Sequence, residues 1–156
     1  MKTLLLVRHA KAEQGSSYND FERPLKPRGL EDAEMVSQSL RNKHVVPQMI
    51  VSSPALRALS TAQIFAEQLG VTNFSTDKAI YEASDSTLLK IINHLPDEHT
   101  FIALVGHNPG FEQILSYLTG EYKTLPTCAV SLVTFDVESW AEIINTSGTL
   151  TFYSEP

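Results

Sequence analysis

The chain has 156 residues, of which 42% are hydrophobic and 19% are charged. These proportions are typical of a globular protein and exclude a disordered, collagen-like or coiled-coil chain. The formal net charge of −6 has the wrong sign for a protein that binds nucleic acid through a broad basic surface.

The charge is unevenly distributed along the chain. Residues 1–28 hold six basic and three acidic side chains and therefore carry a net charge of +3, which leaves −9 for the remainder. This clustering of cations in an acidic protein predicts a local role for the N-terminal stretch, such as the recognition of one anionic group.

Cysteine content and hydropathy bear on the cellular compartment. Cys128 is the only cysteine, so an intrachain disulfide is excluded and nothing points to a secreted scaffold. The first apolar stretch ends at Arg8 and is shorter than the apolar region of a signal peptide, and no apolar run approaches the ~20 residues of a membrane span. We expect a soluble, cytoplasmic protein without a membrane partner, and the sequence leaves its oligomeric state open.

The N-terminal half alternates predicted strands and helices. The apolar run at residues 4–7 predicts a buried strand, and residues 10–26 form a polar loop. A helix is predicted after Pro27, with acidic residues in its first turn and an apolar side formed by Leu30, Ala33, Val36 and Leu40.

Residues 49–51 predict a second strand, after which Ser53 and Pro54 predict the N-cap and first turn of a second helix. Gly70 predicts the end of that helix. Its apolar side is formed by Leu56, Leu59, Ile64, Phe65 and Leu69.

The C-terminal half continues the alternation and then becomes strand-rich. The predicted elements are a strand within 73–81, a helix over 85–95, a strand over 101–105, a helix from Asn108-Pro109 to Gly120, and strands within 128–137 and 140–153. This order predicts an α/β three-layer sandwich, with a mostly parallel central sheet, helices on both faces and antiparallel C-terminal strands. With no repeat or linker in the sequence, we expect a single domain over residues 1–156.

Polar side chains lie at or just after the ends of three predicted strands. Arg8 and His9 end the first strand, Arg57 lies in the first turn after the second, and His107 ends the strand over 101–105. Ligands of open α/β sheets gather at the carboxyl ends of the strands, and helix N-termini favour anions. Two arginines and two histidines at one edge predict a phosphate pocket with a nitrogen nucleophile.

Each of these residues also has an ordinary structural interpretation. A single arginine at a strand end is typically a solvated charge, and Glu82 alone reads as a surface carboxylate. The three remaining histidines have no partners at ligand spacing and are interpreted as surface or structural residues: His44, His94 and His99. Motifs for nucleotide binding, serine hydrolysis and zinc binding are absent. Cys128, within the predicted strand over 128–137, is expected to be a buried, inert thiol.

Three segments resemble the histidine phosphatase superfamily, which has the phosphoglycerate-mutase-like fold. The segments are Val7-Arg8-His9-Ala10, the stretch from Ser53-Pro54 through Arg57 to Thr61-Ala62, and Val105-Gly106-His107-Asn108. The family usually has glycine at the position of Ala10. The segment over residues 21–29 and the compact length resemble the SixA-type phosphohistidine phosphatases, which lack helical insertions above the site.

The resemblance implies a role for each matching residue. His9 would be the nucleophile and would carry a transient phosphoryl group, while Arg8, Arg57 and His107 would surround that group and stabilise its charge. Arg23 would be an additional phosphate-facing arginine.

Glu82 matches the position of the general acid in many relatives, although a phosphohistidine leaving group needs less acid assistance. The resemblance implies no metal and no cofactor.

The resemblance favours a phosphohistidine-bearing protein as substrate, because a shallow pocket is open to a side chain on another protein. Lys11, Lys26 and Arg28 would steer an acidic partner. A small-molecule phosphomonoesterase using the same residues is the alternative, favoured if the loop over residues 10–22 covers the pocket. A non-catalytic phosphoprotein-binding module is a third interpretation, which His9 beside two arginines and His107 disfavours.

Overall fold

The computed structural model describes residues 1–156 and contains six strands and four α-helices. The strands are β1 (Lys2–Arg8), β2 (Met49–Ser52), β3 (Phe74–Thr76), β4 (Phe101–Gly106), β5 (Val130–Phe135) and β6 (Gly148–Ser154). The helices are α1 (Pro27–Asn42), α2 (Leu56–Leu69), α3 (Asp85–Asn93) and α4 (Gly110–Thr119). Short 3-10 turns lie at Asp20–Glu22, Lys78–Ile80 and Trp140–Glu142. None of the helices combines the length and the apolar character needed to cross a membrane.

All six strands form one open sheet in the order β3-β2-β4-β1-β5-β6. The strands β3, β2, β4 and β1 pair in parallel, whereas β5 and β6 are antiparallel to their neighbours. The predicted α/β fold, with a mostly parallel centre and antiparallel C-terminal strands, is therefore confirmed.

Alternation along β1 divides its apolar side chains between two cores. Leu4 and Leu6 pack on one face with residues of α3 and α4 and with Trp140. Leu5 and Val7 pack on the other face with residues of α1 and α2. Helices therefore cover both faces of the sheet, as predicted, and the uninterrupted apolar run reflects a strand buried on both sides.

The start of α2 differs from the prediction. The helix begins at Leu56 rather than Pro54, and the N-cap residue Ala55 provides no side-chain hydrogen bond. Ser53 does not cap the helix, because its Oγ accepts a hydrogen bond from the Ala55 N–H at 3.2 Å and lies 2.8 Å from Nε2 of His107. The Ser-Pro pair forms a turn that contacts the site instead.

The start of α4 differs in the same way. The helix begins at Gly110, and Asn108 does not cap it, because the Asn108 side-chain amide donates to the Leu125 carbonyl at 2.8 Å. Gly120 ends the helix in the left-handed conformation, as the sequence predicts.

The buried side of α1 is rotated relative to the predicted apolar side. Gly29 is buried so close to the Lys11 carbonyl that a Cβ atom would lie 2.1 Å from that oxygen. Because successive helical residues point about 100° apart, this packing turns Leu30 outward, where it is 46% exposed. The prediction that Leu30 faces the core is therefore wrong, as is that for Leu56, which is 38% exposed. The acidic residues also lie beyond the first turn of α1.

Cys128 precedes β5 rather than lying within it. Its backbone has a φ of 62°, and its N–H donates to the His9 carbonyl at 3.0 Å. The side chain is fully buried, and burial raises the pKa of the thiol to about 12. The thiol is therefore protonated at neutral pH, in keeping with the expected inert side chain.

Candidate active site

The candidate site lies at the carboxyl edge of the parallel strands. β1 and β4 are in register so that Arg8 pairs with Gly106, and the residue that follows β1, His9, donates its N–H to the Gly106 carbonyl at 3.0 Å. His107 follows directly, and the centroids of the two histidine rings are 5.3 Å apart. The parallel pairing thus brings the two histidines together, although they are almost a hundred residues apart in sequence.

His9 has a side chain suited to nucleophilic attack. The residue is 8% exposed, and Nδ1 lies 2.8 Å from the Ala10 carbonyl oxygen. Burial, reinforced by the nearby cationic groups, lowers the pKa of His9 to about 3. The ring is therefore neutral at pH 7, and because the carbonyl can only accept, we assign the proton to Nδ1. The lone pair of Nε2 is then free.

Hydrogen bonds of the Thr61 hydroxyl hold the turn after β1 against α2. The Ala10 N–H donates to Thr61 Oγ1 at 3.0 Å, and the Thr61 hydroxyl donates to the Arg57 carbonyl at 2.7 Å. Ala10 and Thr61 are both fully buried. The positions of His9 and of the first turn of α2 are therefore fixed relative to one another.

The two arginines of the site approach from different elements. Arg57 is 6% exposed in the first turn of α2, and its Nη1 and Nη2 donate to the carbonyl and carboxylate of Asp20 at 2.6 and 3.1 Å. Arg8, at the end of β1, donates from Nη1 to the Leu125 carbonyl at 2.9 Å. The Nε atoms of both arginines are buried and have no hydrogen-bond partner.

His107 is positioned by the turn before α2. Its Nε2 lies 2.8 Å from Ser53 Oγ. Since that oxygen already accepts from the Ala55 N–H, its own hydrogen is free to be donated to Nε2, and we assign the proton of the neutral ring to Nδ1. Burial first, and the charge of Arg57 second, lower the pKa of His107 to about 4. Nδ1 is buried without a partner.

The site therefore concentrates unpaired hydrogen-bond donors. Five buried side-chain polar atoms of the chain lack a partner, and three of them are Arg8 Nε, Arg57 Nε and His107 Nδ1. Buried polar groups are nearly always paired in folded proteins, so such a cluster calls for an explanation. Oxygens of a phosphoryl group are acceptors of the charge and number that would satisfy these donors.

A cavity of about 570 Å³ opens beside these residues. Its walls include Arg57, His107, Arg23 and Glu82. Glu82 is exposed in the loop before α3, with a φ of 56°. Arg23 lines the cavity, but its Nη1 donates to the Glu13 carbonyl at 2.8 Å. Of the predicted site residues, four thus line the cavity, whereas Arg8 and His9 adjoin His107 without lining it.

Asp20 and Tyr81 are among the residues of the cavity wall that sequence reasoning missed. Asp20 accepts hydrogen bonds from Arg57, Arg23 and the Tyr81 hydroxyl, the last at 2.5 Å. The spacing of Asp20 three residues before Arg23 was the available local signal. In the sequence, Ser53 and Thr61 are only parts of motifs. Their contacts with His107 and Ala10 depend on the fold.

The side chains that could bind a metal ion are dispersed in the structure. No three side chains of the His, Cys, Asp and Glu types are grouped so that they could hold a metal ion.

Comparisons with known proteins identify the family. The model of the histidine phosphatase superfamily (branch 1) matches residues 4–85. An uncharacterized chloroplast protein of Arabidopsis thaliana is 31% identical over 159 residues, covering 94% of this chain and 72% of the relative. An uncharacterized protein of Mycobacterium tuberculosis is 30% identical over 107 residues, covering 66% of this chain and 63% of the relative. The chain belongs to the histidine phosphatase superfamily and is a hydrolase.

Solved structures agree with this assignment. A SixA protein from Agrobacterium tumefaciens superposes with a TM-score of 0.85 at 26% identity, covering 99% of this chain and 98% of the other. A phosphoserine phosphatase from Entamoeba histolytica superposes with a TM-score of 0.72 at 18% identity, covering 98% and 96% of the two chains, and shares the fold. The resemblance to SixA-type members and the phosphoglycerate-mutase-like fold are confirmed.

Proposed function

We propose that this protein hydrolyses phosphohistidine on another protein through a covalent phosphoryl intermediate on His9. The observation that carries the proposal is the neutral, buried His9 beside three buried nitrogens that lack hydrogen-bond partners. A nucleophile with a free lone pair and a ring of unpaired donors is the arrangement that phosphoryl transfer requires.

The proposed reaction has two displacements. Nε2 of His9 bonds to phosphorus while the bond from phosphorus to the substrate imidazole breaks. A substrate ring protonated on its other nitrogen leaves as neutral imidazole, which keeps that proton, and His9 becomes the phosphorylated, cationic ring with its proton on Nδ1. Water then attacks the phosphorus while the bond to Nε2 breaks, both water protons stay on the product as dihydrogen phosphate, and neutral His9 is formed. Arg8, Arg57 and His107 stabilise the charge on the phosphoryl oxygens in both steps.

The two remaining residues of the proposal, Arg23 and Glu82, act at the cavity wall. Arg23 adds positive charge there, and Glu82 supplies a proton where the leaving group is an alkoxide. A protein substrate is supported by the exposed groups at the rim, since Glu82 and Ser84 are both open to solvent. A surface histidine of a partner can approach such a rim.

A small-molecule phosphomonoesterase is the second candidate. It is favoured by the turn Asp20–Glu22, which reaches the cavity from the loop over residues 10–22 and narrows it. The same His9 chemistry would then act on an alkyl phosphate, and the need for a general acid would be greater.

The test compares three substrates with the same enzyme: a phosphohistidine protein, p-nitrophenyl phosphate and a sugar phosphate. We expect the highest kcat/KM with the phosphohistidine protein and a loss of at least about a thousandfold in His9→Ala. His94→Ala is the matched control, because His94 is exposed and lies outside the cavity. A strong preference for the sugar phosphate would favour the second candidate.

Two further readouts separate the candidates. Rapid mixing with labelled phosphodonor should leave an acid-labile, alkali-stable label on the protein and none on His9→Ala. If the protein shows neither a label nor turnover, that result would contradict both enzymatic candidates and favour a binding module. Glu82→Gln should slow alkyl phosphate hydrolysis much more than phosphohistidine hydrolysis, and equal losses would contradict the proposed role of Glu82.

A further inference from the structure

The cationic side chains of the site already hold an anion, the carboxylate of Asp20. Oδ2 accepts from Arg57 Nη2 at 3.1 Å and from the Tyr81 hydroxyl at 2.5 Å. Oδ1 accepts from Arg23 Nε at 3.1 Å and lies 3.0 Å from Nη2 of the same side chain. The Asp20 backbone carbonyl takes the remaining terminal nitrogen of Arg57, at 2.6 Å.

Both terminal nitrogens of Arg57 are therefore engaged by one residue. A phosphoryl oxyanion at the unpaired Nε of Arg57 would bind the edge formed by Nε and Nη2, and Nη2 is the nitrogen that already donates to the Asp20 carboxylate. A second anion at this guanidinium repels the first, and the two share a limited number of donors.

Asp20 is also the more easily displaced partner of the pair. It lies in a 3-10 turn that contains no buried residue, and its side chain is 52% exposed. The Arg57 side chain, in contrast, is 7% exposed and belongs to a helix tied to the turn after β1 through Thr61. An incoming anion would therefore move Asp20 and leave Arg57 in place.

We propose that Asp20 is an internal competitor of the phosphoryl group: it releases Arg57 and Arg23 when a phosphorylated substrate binds and reclaims them as inorganic phosphate leaves. The inference rests on the proposed function for the position of the phosphoryl group. It assigns to Asp20 a specific role, which is to weaken product binding and so speed the final step of turnover.

The charge of Asp20 is constant around neutral pH. The hydrogen bond from Tyr81 is the main cause that lowers the pKa of Asp20 to about 2, with Arg23 and Arg57 adding to it. The carboxylate is therefore ionised at neutral pH and remains so in mildly acidic solution.

The test is the affinity of the resting enzyme for inorganic phosphate, measured by titration calorimetry and by product inhibition. Asp20→Asn keeps the shape of the side chain and removes its charge. We expect this variant to bind phosphate about tenfold more tightly, as expected when one nearby like charge is removed. If phosphate release limits turnover, kcat and KM should fall together in the same variant.

Two variants serve as controls. Glu22→Gln removes the same charge from the same turn, and Glu22 contacts Asn19 rather than the arginines, so phosphate affinity should change by less than about twofold. Asp20→Glu retains the charge and should keep weak phosphate binding.

The direction in which phosphate affinity changes in Asp20→Asn distinguishes competition from a structural role. If Asp20 only positioned Arg57, its loss would weaken phosphate binding, and that result, or an unchanged affinity, would overturn the proposal. Turnover with an unchanged phosphate affinity in Asp20→Asn would leave the proposed function standing. Tighter phosphate binding by Asp20→Asn, together with no turnover by the parent protein, would contradict the proposed function and support the competition.

Discussion

Burial keeps His9 neutral, and no acidic side chain is bonded to its ring. Nδ1 is bonded to a backbone carbonyl, and the nearby basic groups that also lower the pKa of the ring are His107, Arg57 and Arg8. The same two influences keep His107 neutral in the resting enzyme, with a pKa of about 4. In the proposed mechanism a phosphoryl dianion beside His107 would oppose both influences and would favour the protonated form of that ring.

The two low histidine pKa values predict how stability changes with pH. An unfolded histidine binds a proton near pH 6.5, whereas these rings do so only at about pH 3 and 4 when folded. Between pH 6.5 and 4 the unfolded chain therefore binds more protons, and the free energy of unfolding should fall as the pH falls. Each histidine contributes up to about 1.4 kcal/mol per pH unit in this window.

Urea unfolding at several pH values between 7.5 and 4.5 measures this effect. His107→Asn should show a shallower decrease in the free energy of unfolding than the parent protein, whatever its stability at pH 7.5. His94→Asn, at an exposed position, should retain the parent slope. Parallel curves for the parent and the His107 variant would contradict the assignment of a buried, neutral ring.

At the scale of elements, sequence patterns predicted all six strands and four helices, but they did not predict the starts of α2 and α4. Residues 140–142, within a stretch predicted to be strand-like, form a 3-10 turn instead. The Ser-Pro and Asn-Pro pairs resemble ordinary caps, yet the side chains of Ser53 and Asn108 bond to His107 and to the Leu125 carbonyl. The competing partners lie 54 and 17 residues away in sequence, and local patterns contain no information about them.

The candidate site was likewise predictable where local patterns define it and not where distant contacts do. The local motifs contain Arg8, His9, Arg57 and His107, and parallel strands bring these residues to one edge of the sheet. The contacts of Asp20 with Arg57 and Tyr81 span 37 and 61 residues and depend on where the loop after β1 folds. The spacing of Asp20 and Arg23 predicts at most their own contact, and it contains no information about the contacts with Arg57 and Tyr81.

Packing between α4 and the loop before α3 gives a prediction for one glycine. A Cβ atom at Gly110 would lie 2.3 Å from the Ala83 carbonyl oxygen and 3.2 Å from Leu88 Cδ1. Gly110→Ala should therefore lower the free energy of unfolding by about 1–3 kcal/mol, although alanine is the better helix former. Ser116→Ala, at a half-buried position of the same helix, should change it by less than about 0.5 kcal/mol.

Urea unfolding of the two variants of α4 gives the comparison directly. A Gly110→Ala variant as stable as the parent would mean that the Ala83 loop moves away without loss, and Glu82 would then be less firmly held than the structure indicates.

At the scale of the whole molecule, the positive charge of residues 1–28 serves several purposes. Arg8 and Arg23 belong to the site, whereas Lys2 is 3% exposed and donates to the carbonyls of Asp97 and His99 at 2.9 and 3.1 Å. Arg28 is paired with Asp32 at 3.0 Å. Four of the six cations of this stretch therefore lie in the candidate site or in contacts with other parts of the fold.

β1 joins the two cores of the molecule, since its alternate side chains enter each of them. The core on one face contains the only tryptophan, Trp140, and the core on the other contains the only cysteine, Cys128. Both side chains are fully buried. If the chain is a single domain, loss of either core removes half of the packing around β1, and the two should unfold together.

These two residues provide one natural probe for each core. We expect the urea midpoint from Trp140 fluorescence to coincide with the midpoint from pulsed thiol labelling of Cys128, because neither core is complete without β1. Far-UV circular dichroism, which reports helices on both faces, should give the same midpoint. Leu5→Ala removes packing from the Cys128 core and should lower both midpoints equally, by a stability loss of about 2–5 kcal/mol. Separate midpoints, or a variant that shifts the thiol transition alone, would contradict a single cooperative domain.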